Sequence, residues 1–208
     1  MIVFPDPVQA NDDGLLAIGG NLQVETLLSA YRRGIFPWYG EGDPILWWSP
    51  DPRMVLFPAE FHASRRLKRR MRQPGYRFSF NEVFAEVIDA CAHISRKGET
   101  GTWILPEMIA AYTRLHTLGH AHSLEVWYDG NLAGGVYGVL QSDVFFAESM
   151  FSRRTDGSKM ALCKLCEKAC SEGWKLIDCQ FHTPHLASLG AREIRRTQFL
   201  QLLEGRSL

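Results

Sequence analysis

Residues 122–150 constrain this chain most. His122 to Tyr128 and Leu132 to Leu140 are strand-like runs separated by Asp129-Gly130. Asp-Gly between two such runs is a tight-hairpin signal, because both central residues must take positive φ. Gln141-Ser142-Asp143 supplies a second turn and Val144 to Met150 a third strand. A meander of that kind needs a cover for its apolar face, so helices are expected beside it.

The following residues provide them. Lys159 to Glu172 reads as a helix stopped by Gly173, and Lys175 to Gln180 as a fourth strand. A short helix at His185 to Leu189 ends at Gly190, a last strand lies near Ile194, and a last helix starts at Thr197. The order β-β-β-α-β-α-β-α, with a helical crossover after an antiparallel meander, predicts an α+β fold with an acetyltransferase-like C-terminal domain.

The N-terminal part is different. To about Arg77 it is rich in Pro, Gly and Trp, with one short amphipathic helix presenting Leu27, Leu28 and Tyr31 and stopping near Gly34. Ile35 to Arg53 reads as a loop built around Trp38, Trp47 and Trp48. Further on, Asn81 is a plausible N-cap for a helix with Phe84, Val87, Ile88 and Cys91 on one face. A polar loop spans Ser95 to Gly101, and a helix from Pro106 to Gly119 buries Met108, Ala111, Tyr112 and Leu115. We expect a small N-terminal domain over 1–63 and the acetyltransferase-like domain over 64–208.

Composition narrows the function. Hydrophobic residues make up 46% of the 208 positions, enough for a real core, and formal net charge is zero. Any nucleic-acid contact must then come from a local patch. No apolar run reaches the ~18 residues of a membrane span, and the N-terminus lacks a secretory pattern. The expectation is a cytoplasmic protein with free thiols. Cys163, Cys166 and Cys170 share an apolar helix face with Leu162, Leu165 and Ala169, which suits packing better than metal binding. No metal is expected.

Four segments carry possible chemistry. Asp178 and Gln180 alternate with Ile177 and Cys179 on a strand, so they are expected on one face, either as a polar site or as a solvated strand end. Glu148 interrupts the apolar run from Phe145 to Phe151 and is either buried with partners or exposed at a strand end. Arg154 to Lys159 partly matches a pyrophosphate-binding loop, with Lys159 where Gly or Ala belongs. Arg65, Arg66, Lys68, Arg69, Arg70 and Arg72 form a basic cluster with no acid from Ser64 through Arg77. One-sign clusters suit phosphate contact, and exposed tryptophans beside one suit base stacking; a solvated helix face and core indoles are the alternatives.

Taken together, Gly34-Ile35-Phe36-Pro37-Trp38, Trp47 to Arg53, Gly101-Thr102-Trp103-Ile104, Gly119 to Ser123, Glu148 to Ser152, Ile177 to Gln180 and Ser188 to Ala191 resemble the leucyl/phenylalanyl-tRNA–protein transferase family. The resemblance is colinear from about Gly14 to Phe199. It implies a monomeric bacterial aminoacyltransferase without a cofactor. Such an enzyme moves Leu or Phe, and less readily Met, from aminoacyl-tRNA to acceptor proteins with N-terminal Arg or Lys, marking them for N-degron-dependent degradation. It also implies that Glu148, Asp178 and Gln180 form the catalytic group, and that Trp38 and Trp103 hold the aminoacyl-tRNA 3′ end. Val136, Leu162, Leu165, Ala169 and Ile177 match the side-chain pocket. That pocket departs from the family's commonest pattern at Val136 and Ala169, as does Ala147 before Glu148.

The chemistry fits, because an aminoacyl ester is already activated and needs positioning and oxyanion stabilisation. Asp178 then polarises Gln180, holds a cationic N-terminus or assists its deprotonation. A substrate-assisted route through the tRNA ribose hydroxyl is also open. Three other readings stand beside it: a coenzyme A-dependent acyltransferase, a non-catalytic tRNA-binding module, and a related transferase that accepts acidic N-termini.

Overall fold

The structure is a computed structural model and describes residues 2–94 and 102–205. Its elements begin with β1 (Leu15–Ile18), α1 (Val24–Tyr31), β2 (Phe36–Pro37), β3 (Leu46–Trp48), β4 (Arg53–Leu56), α2 (Arg65–Met71) and β5 (Tyr76–Phe80). Next come α3 (Phe84–His93), α4 (Pro106–Thr117), β6 (Ala121–Tyr128), β7 (Asn131–Gln141) and β8 (Val144–Ser152). The chain closes with α5 (Gly157–Glu172), β9 (Leu176–Gln180), α6 (Pro184–Ala187), β10 (Arg192–Ile194) and α7 (Arg196–Leu203).

A seven-stranded sheet runs β10-β4-β9-β8-β7-β6-β5. Asp129 and Gly130 both have positive φ at the β6–β7 turn, and Ser142 does at the β7–β8 turn. β5 through β8 are antiparallel, and α5 then crosses over to place β9 parallel to β8. This is the expected α+β layout. β7 and β8 are buried along most of their length because both faces are covered. Alternate residues serve opposite layers: Tyr137 and Phe146 pack with Phe84, Val87, Ile88 and Tyr112 of α3 and α4, while Val136 and Phe145 pack with Leu162, Leu165 and Ala169 of α5. Each fully buried large aliphatic contributes about 1.5–3 kcal/mol. The start of α5 lies against β7 backbone to backbone. A Cβ on Gly134 would come within 2.7 Å of Gly157 Cα, so only glycine fits.

The ends of α4 and α5 follow the sequence. Pro106 opens α4, Gly119 has φ +80°, and Gly173 caps α5 in the left-handed region. Three expectations change. Asn81 does not cap α3; its carboxamide instead accepts from Ser123 N–H at 2.9 Å, and Val83 holds the cap position. The aromatic stretch from Ile35 to Arg53 contains β2 and β3, which pair with β1 in a three-stranded sheet. Strands of two to four residues are too short to show a period. β4 and β5 are likewise absent from the elements expected from sequence. All four residues of β4 are buried, so it shows no alternation. β4 also lies within the large sheet, between β10 and β9, although it precedes residue 63. The loop expected at Ser95 to Gly101 lies outside the described residues.

Candidate active site

β8 and β9 pair only at Val144–Leu176, Phe145–Ile177 and Phe146–Asp178. Just past that point each strand bulges. Tyr137 pairs with Ser149 and Gly138 with Ala147, which leaves Glu148 as the extra residue on β8. Gly138 permits this, since a Cβ there would come within 2.0 Å of the Phe146 carbonyl oxygen. On β9, Met54 pairs with Gln180 and Val55 with Asp178, so Cys179 is the extra residue. Gln180 itself has φ +56°. Two bulges side by side, where pairing stops, re-aim side chains into a cleft between the strands. One lobe, of about 200 Å³, is walled by Phe36, Pro37, Trp38, Trp103, Phe181 and Leu186 over Glu148, Cys179 and Gln180. A second, of about 210 Å³, extends past Ala147, Ser149 and Met150.

The bulge changes the expected alternation. Consecutive Cys179 and Gln180 both line the cleft, and Asp178 does not. Asp178 is fully buried beneath it. Arg53 Nε and Nη2 donate to its two oxygens at 2.8 and 2.6 Å. Asp178 Oδ1 also accepts from the backbone N–H of Gln180 at 3.1 Å, so the carboxylate pins the turn that presents Gln180. The Arg53 guanidinium is held between the rings of Phe36 and Phe199, at 4.8 and 4.6 Å. Its Nη1 is buried without a hydrogen bond.

Glu148 is half-buried and turns its carboxyl inward to partners, which favours the partnered reading over a freely solvated strand end. Tyr112 Oη donates to Oε2 at 3.0 Å, Tyr31 Oη makes a short contact with Tyr112 Oη, and Gln180 Nε2 lies 3.5 Å from Oε1. Burial pushes the Glu148 carboxyl up to about 8; the Tyr31 and Tyr112 hydroxyls oppose this, the Asp178 charge adds to it, and Arg53 opposes it. The carboxyl therefore keeps its proton to higher pH than an ordinary glutamate. Burial, with the Glu148 charge second, holds both tyrosines well above their ordinary value.

Trp38 is 41% exposed at the mouth, its ring tilted against Phe181 at 5.3 Å and edge-on to Trp48 at 5.6 Å. The structure thus brings Trp38, Trp103, Glu148 and Gln180 to one cleft, with Asp178 directly behind. Val136, Leu162, Leu165, Ala169 and Ile177 line neither lobe; all are fully buried in the layer that also holds Cys179 and Leu186. On α2, Leu67 is buried and Arg65, Arg66, Lys68 and Arg69 are exposed, as is Arg72 at the C-cap. Arg70 is half-buried and paired with Asp156. Sequence reasoning missed Arg53, Tyr31 and Tyr112. A buried Asp178 implies a cation, but nothing local points to one 125 residues away.

Burial also raises the Cys163, Cys166 and Cys179 thiols, Cys163 to about 11. Among the described residues no group of three or more His, Cys, Asp or Glu is arranged to hold a metal, and no helix is long and apolar enough to cross a membrane.

A carboxyl with a raised pKa and a carboxamide at a strand opening can donate and accept hydrogen bonds without attacking, an arrangement that suits acyltransferases acting on an already activated acyl group. The family model described as leucyl/phenylalanyl-tRNA protein transferase matches residues 55–204, and that of the family's N-terminal domain matches 20–51. This chain belongs to the leucyl/phenylalanyl-tRNA–protein transferase family. A transferase of that name from Syntrophobacter fumaroxidans is 54% identical over 97% of this chain and 86% of its own. One from Chromohalobacter salexigens is 57% identical over 98% and 80%. Among solved structures, a GCN5-related N-acetyltransferase from Kribbella flavida aligns at TM-score 0.44 and 12% identity, over 78% of this chain and 58% of its own.

Proposed function

We propose that this transferase moves Leu or Phe, and less readily Met, from aminoacyl-tRNA to the N-terminal amine of proteins beginning with Arg or Lys. The product would enter N-degron-dependent degradation in the bacterial cytoplasm. The observation that carries the reading is the cleft itself, with exposed indole beside a carboxamide and a carboxyl with a raised pKa.

The amine nitrogen attacks the ester carbonyl, the C–O bond to the ribose breaks, and the ribose hydroxyl leaves with a proton while the amine loses one. An α-amino group of pKa ~8 is already partly neutral near pH 7, so deprotonation needs little help. Gln180 Nε2 and the Glu148 carboxyl donate to the oxygen that becomes negative. Asp178 acts as a positioning residue through Gln180, a role its pairing with Arg53 supports. Trp38 and Trp103 hold the terminal adenosine. The aminoacyl side chain enters the lobe at Met150, Cys179 and Leu186, whose floor is the layer containing Val136, Leu162, Leu165, Ala169 and Ile177. Arg65, Arg66, Lys68, Arg69, Arg70 and Arg72 contact tRNA phosphates. The chain works as a monomer, without metal or cofactor.

The coenzyme A reading is weaker, because loop donors before α5 are already used. Arg153 and Arg154 N–H donate to the Ala133 carbonyl, Gly157 N–H to the Arg154 carbonyl, and Ser158 N–H to Ser152 Oγ.

The test is incubation with radiolabelled Phe-tRNA or Leu-tRNA and a peptide beginning with Arg. Label is expected in that peptide and not in one beginning with Asp. Binding of the charged tRNA without transfer at any pH would leave only the RNA-binding module.

A further inference from the structure

The loop between β8 and α5 carries two arginines with no assigned work. Arg153 and Arg154 are exposed, and neither makes an ion pair among the described residues. Each is ordered by a ring instead. The Arg154 guanidinium lies 3.8 Å from the Tyr128 ring centroid and that of Arg153 lies 5.5 Å from Phe151. Tyr76 supports Tyr128 edge-on at 4.8 Å. Ring contact fixes a guanidinium plane but leaves its N–H fork open, which is what a phosphate requires.

These side chains surround a cavity of about 380 Å³, walled by Arg70, Tyr76, Tyr128, Arg153, Arg154 and polar neighbours, with no acid in its lining. Asp156 lies next to it, but Arg70 pairs with it and Lys159 Nζ is 3.8 Å away. Arg153 and Arg154 also border a wider depression on the far side of Tyr128, which holds Glu86 and Asp129. Arg70 is also the joint. Its guanidinium reaches the Thr155 carbonyl as well as Asp156, docking the acid-free face of α2 on the loop. On the α2 side, the basic surface therefore continues into the pocket, and Asp156 at the joint is paired. Five residues of strand separate Arg153 from Glu148, so at ~3.3 Å each the pocket lies roughly 16 Å from the cleft.

We infer that the Arg70–Arg153–Arg154 pocket binds the phosphodiester backbone of the same RNA whose 3′ end occupies the cleft. The pocket is a second anchor beyond α2. It rests on the reading of the cleft as an aminoacyl-tRNA site. Guanidinium forks seat two oxygens of one phosphate, and the flanking tyrosine ring covers its sugar.

The experiment is equilibrium binding of uncharged tRNA to the whole chain across a salt series, compared with Arg153→Ala/Arg154→Ala. Binding is expected to weaken about tenfold near physiological salt. The slope of log affinity against log salt should become shallower by about 1 to 2, because each phosphate contact contributes ~0.7 to 0.9. Arg153→Lys/Arg154→Lys should keep the slope and lose part of the affinity, which separates charge from misfolding. Unchanged affinity and slope in the alanine variant would overturn the inference. So would pyrophosphate binding that the alanine variant loses without any change for tRNA, since that marks an isolated anion site. An acidic peptide that binds as tightly as tRNA and depends on the same arginines would overturn it too. Transfer is not read here. A failed transfer assay with a shallower slope removes the enzyme reading alone, and a working assay with an unchanged slope removes the pocket alone.

Discussion

Arg53 and Asp178 lie 125 residues apart and form a two-pronged ion pair with neither side chain exposed. Removing one partner strands a charge in the interior. Arg53→Met should therefore lower unfolding stability by about 3–5 kcal/mol, read by urea denaturation. The double variant Arg53→Met/Asp178→Leu should regain most of that stability, since a buried pair and an apolar pair of similar volume are often equivalent. Transfer should stay lost, because Gln180 N–H no longer has its acceptor. A stable double variant with full transfer would show that Asp178 does not position Gln180.

Glu148 makes stability depend on pH in an unusual direction for a carboxyl. Its folded value is raised from 4.5 to about 8, so between those limits the folded state holds a proton that the unfolded state releases. The stabilisation is fully present below about 4.5 and is lost as pH rises through about 8. The melting temperature should fall from about pH 5 to about pH 9, and Glu148→Gln should flatten that fall. Calorimetry over the range decides it; parallel curves for the two proteins would mean that Glu148 is ionised throughout.

Trp38 is exposed enough to be changed without touching the core. Stacking on a base contributes about 1–3 kcal/mol, so Trp38→Ala should raise KM for charged tRNA by roughly 5- to 150-fold. Trp38→Phe should recover most of it. Melting temperature should hardly move. Steady-state kinetics with varied charged tRNA measures the change, and an unaltered KM would take the indole out of the RNA site.

Gly138→Ala tests the bulge. The added methyl would sit 2.0 Å from the Phe146 carbonyl oxygen, so the β7–β8 backbone must move apart locally. Overpacking of this kind costs about 1–3 kcal/mol, and the shift should carry Glu148 out of line with Tyr112 and lower kcat more than stability alone explains. A variant with wild-type kcat would show that the bulge is not what aims Glu148.

What could be read from the sequence was local. Asp129-Gly130, Pro106 and Gly173 each act within a turn of themselves, so the meander and the limits of α4 and α5 were legible. β4 was not, because burial on both faces erases alternation. The bulges were not either: Glu148 and Cys179 are extra residues only relative to a neighbouring strand, and register is a property of pairs. That is why Asp178 and Gln180, placed on one face by counting, separate in the structure. Resemblance named Trp38, Trp103, Glu148 and Gln180, which share the cleft. Periodicity identified Tyr31 and Tyr112 as apolar helix faces, and it is blind to the phenol oxygens that reach Glu148.

The chain's two family-model matches meet around Arg53, which follows the first and precedes the second. Tyr31, Phe36 and Trp38 come from the first match, Tyr112, Glu148 and Gln180 from the second, and all of them border or support one cleft. The two parts are thus poor candidates for exchange between relatives. A graft joined between residues 51 and 55 would combine halves whose buried charges and ring contacts were selected against different counterparts. Changes on either side of that junction should be inherited together.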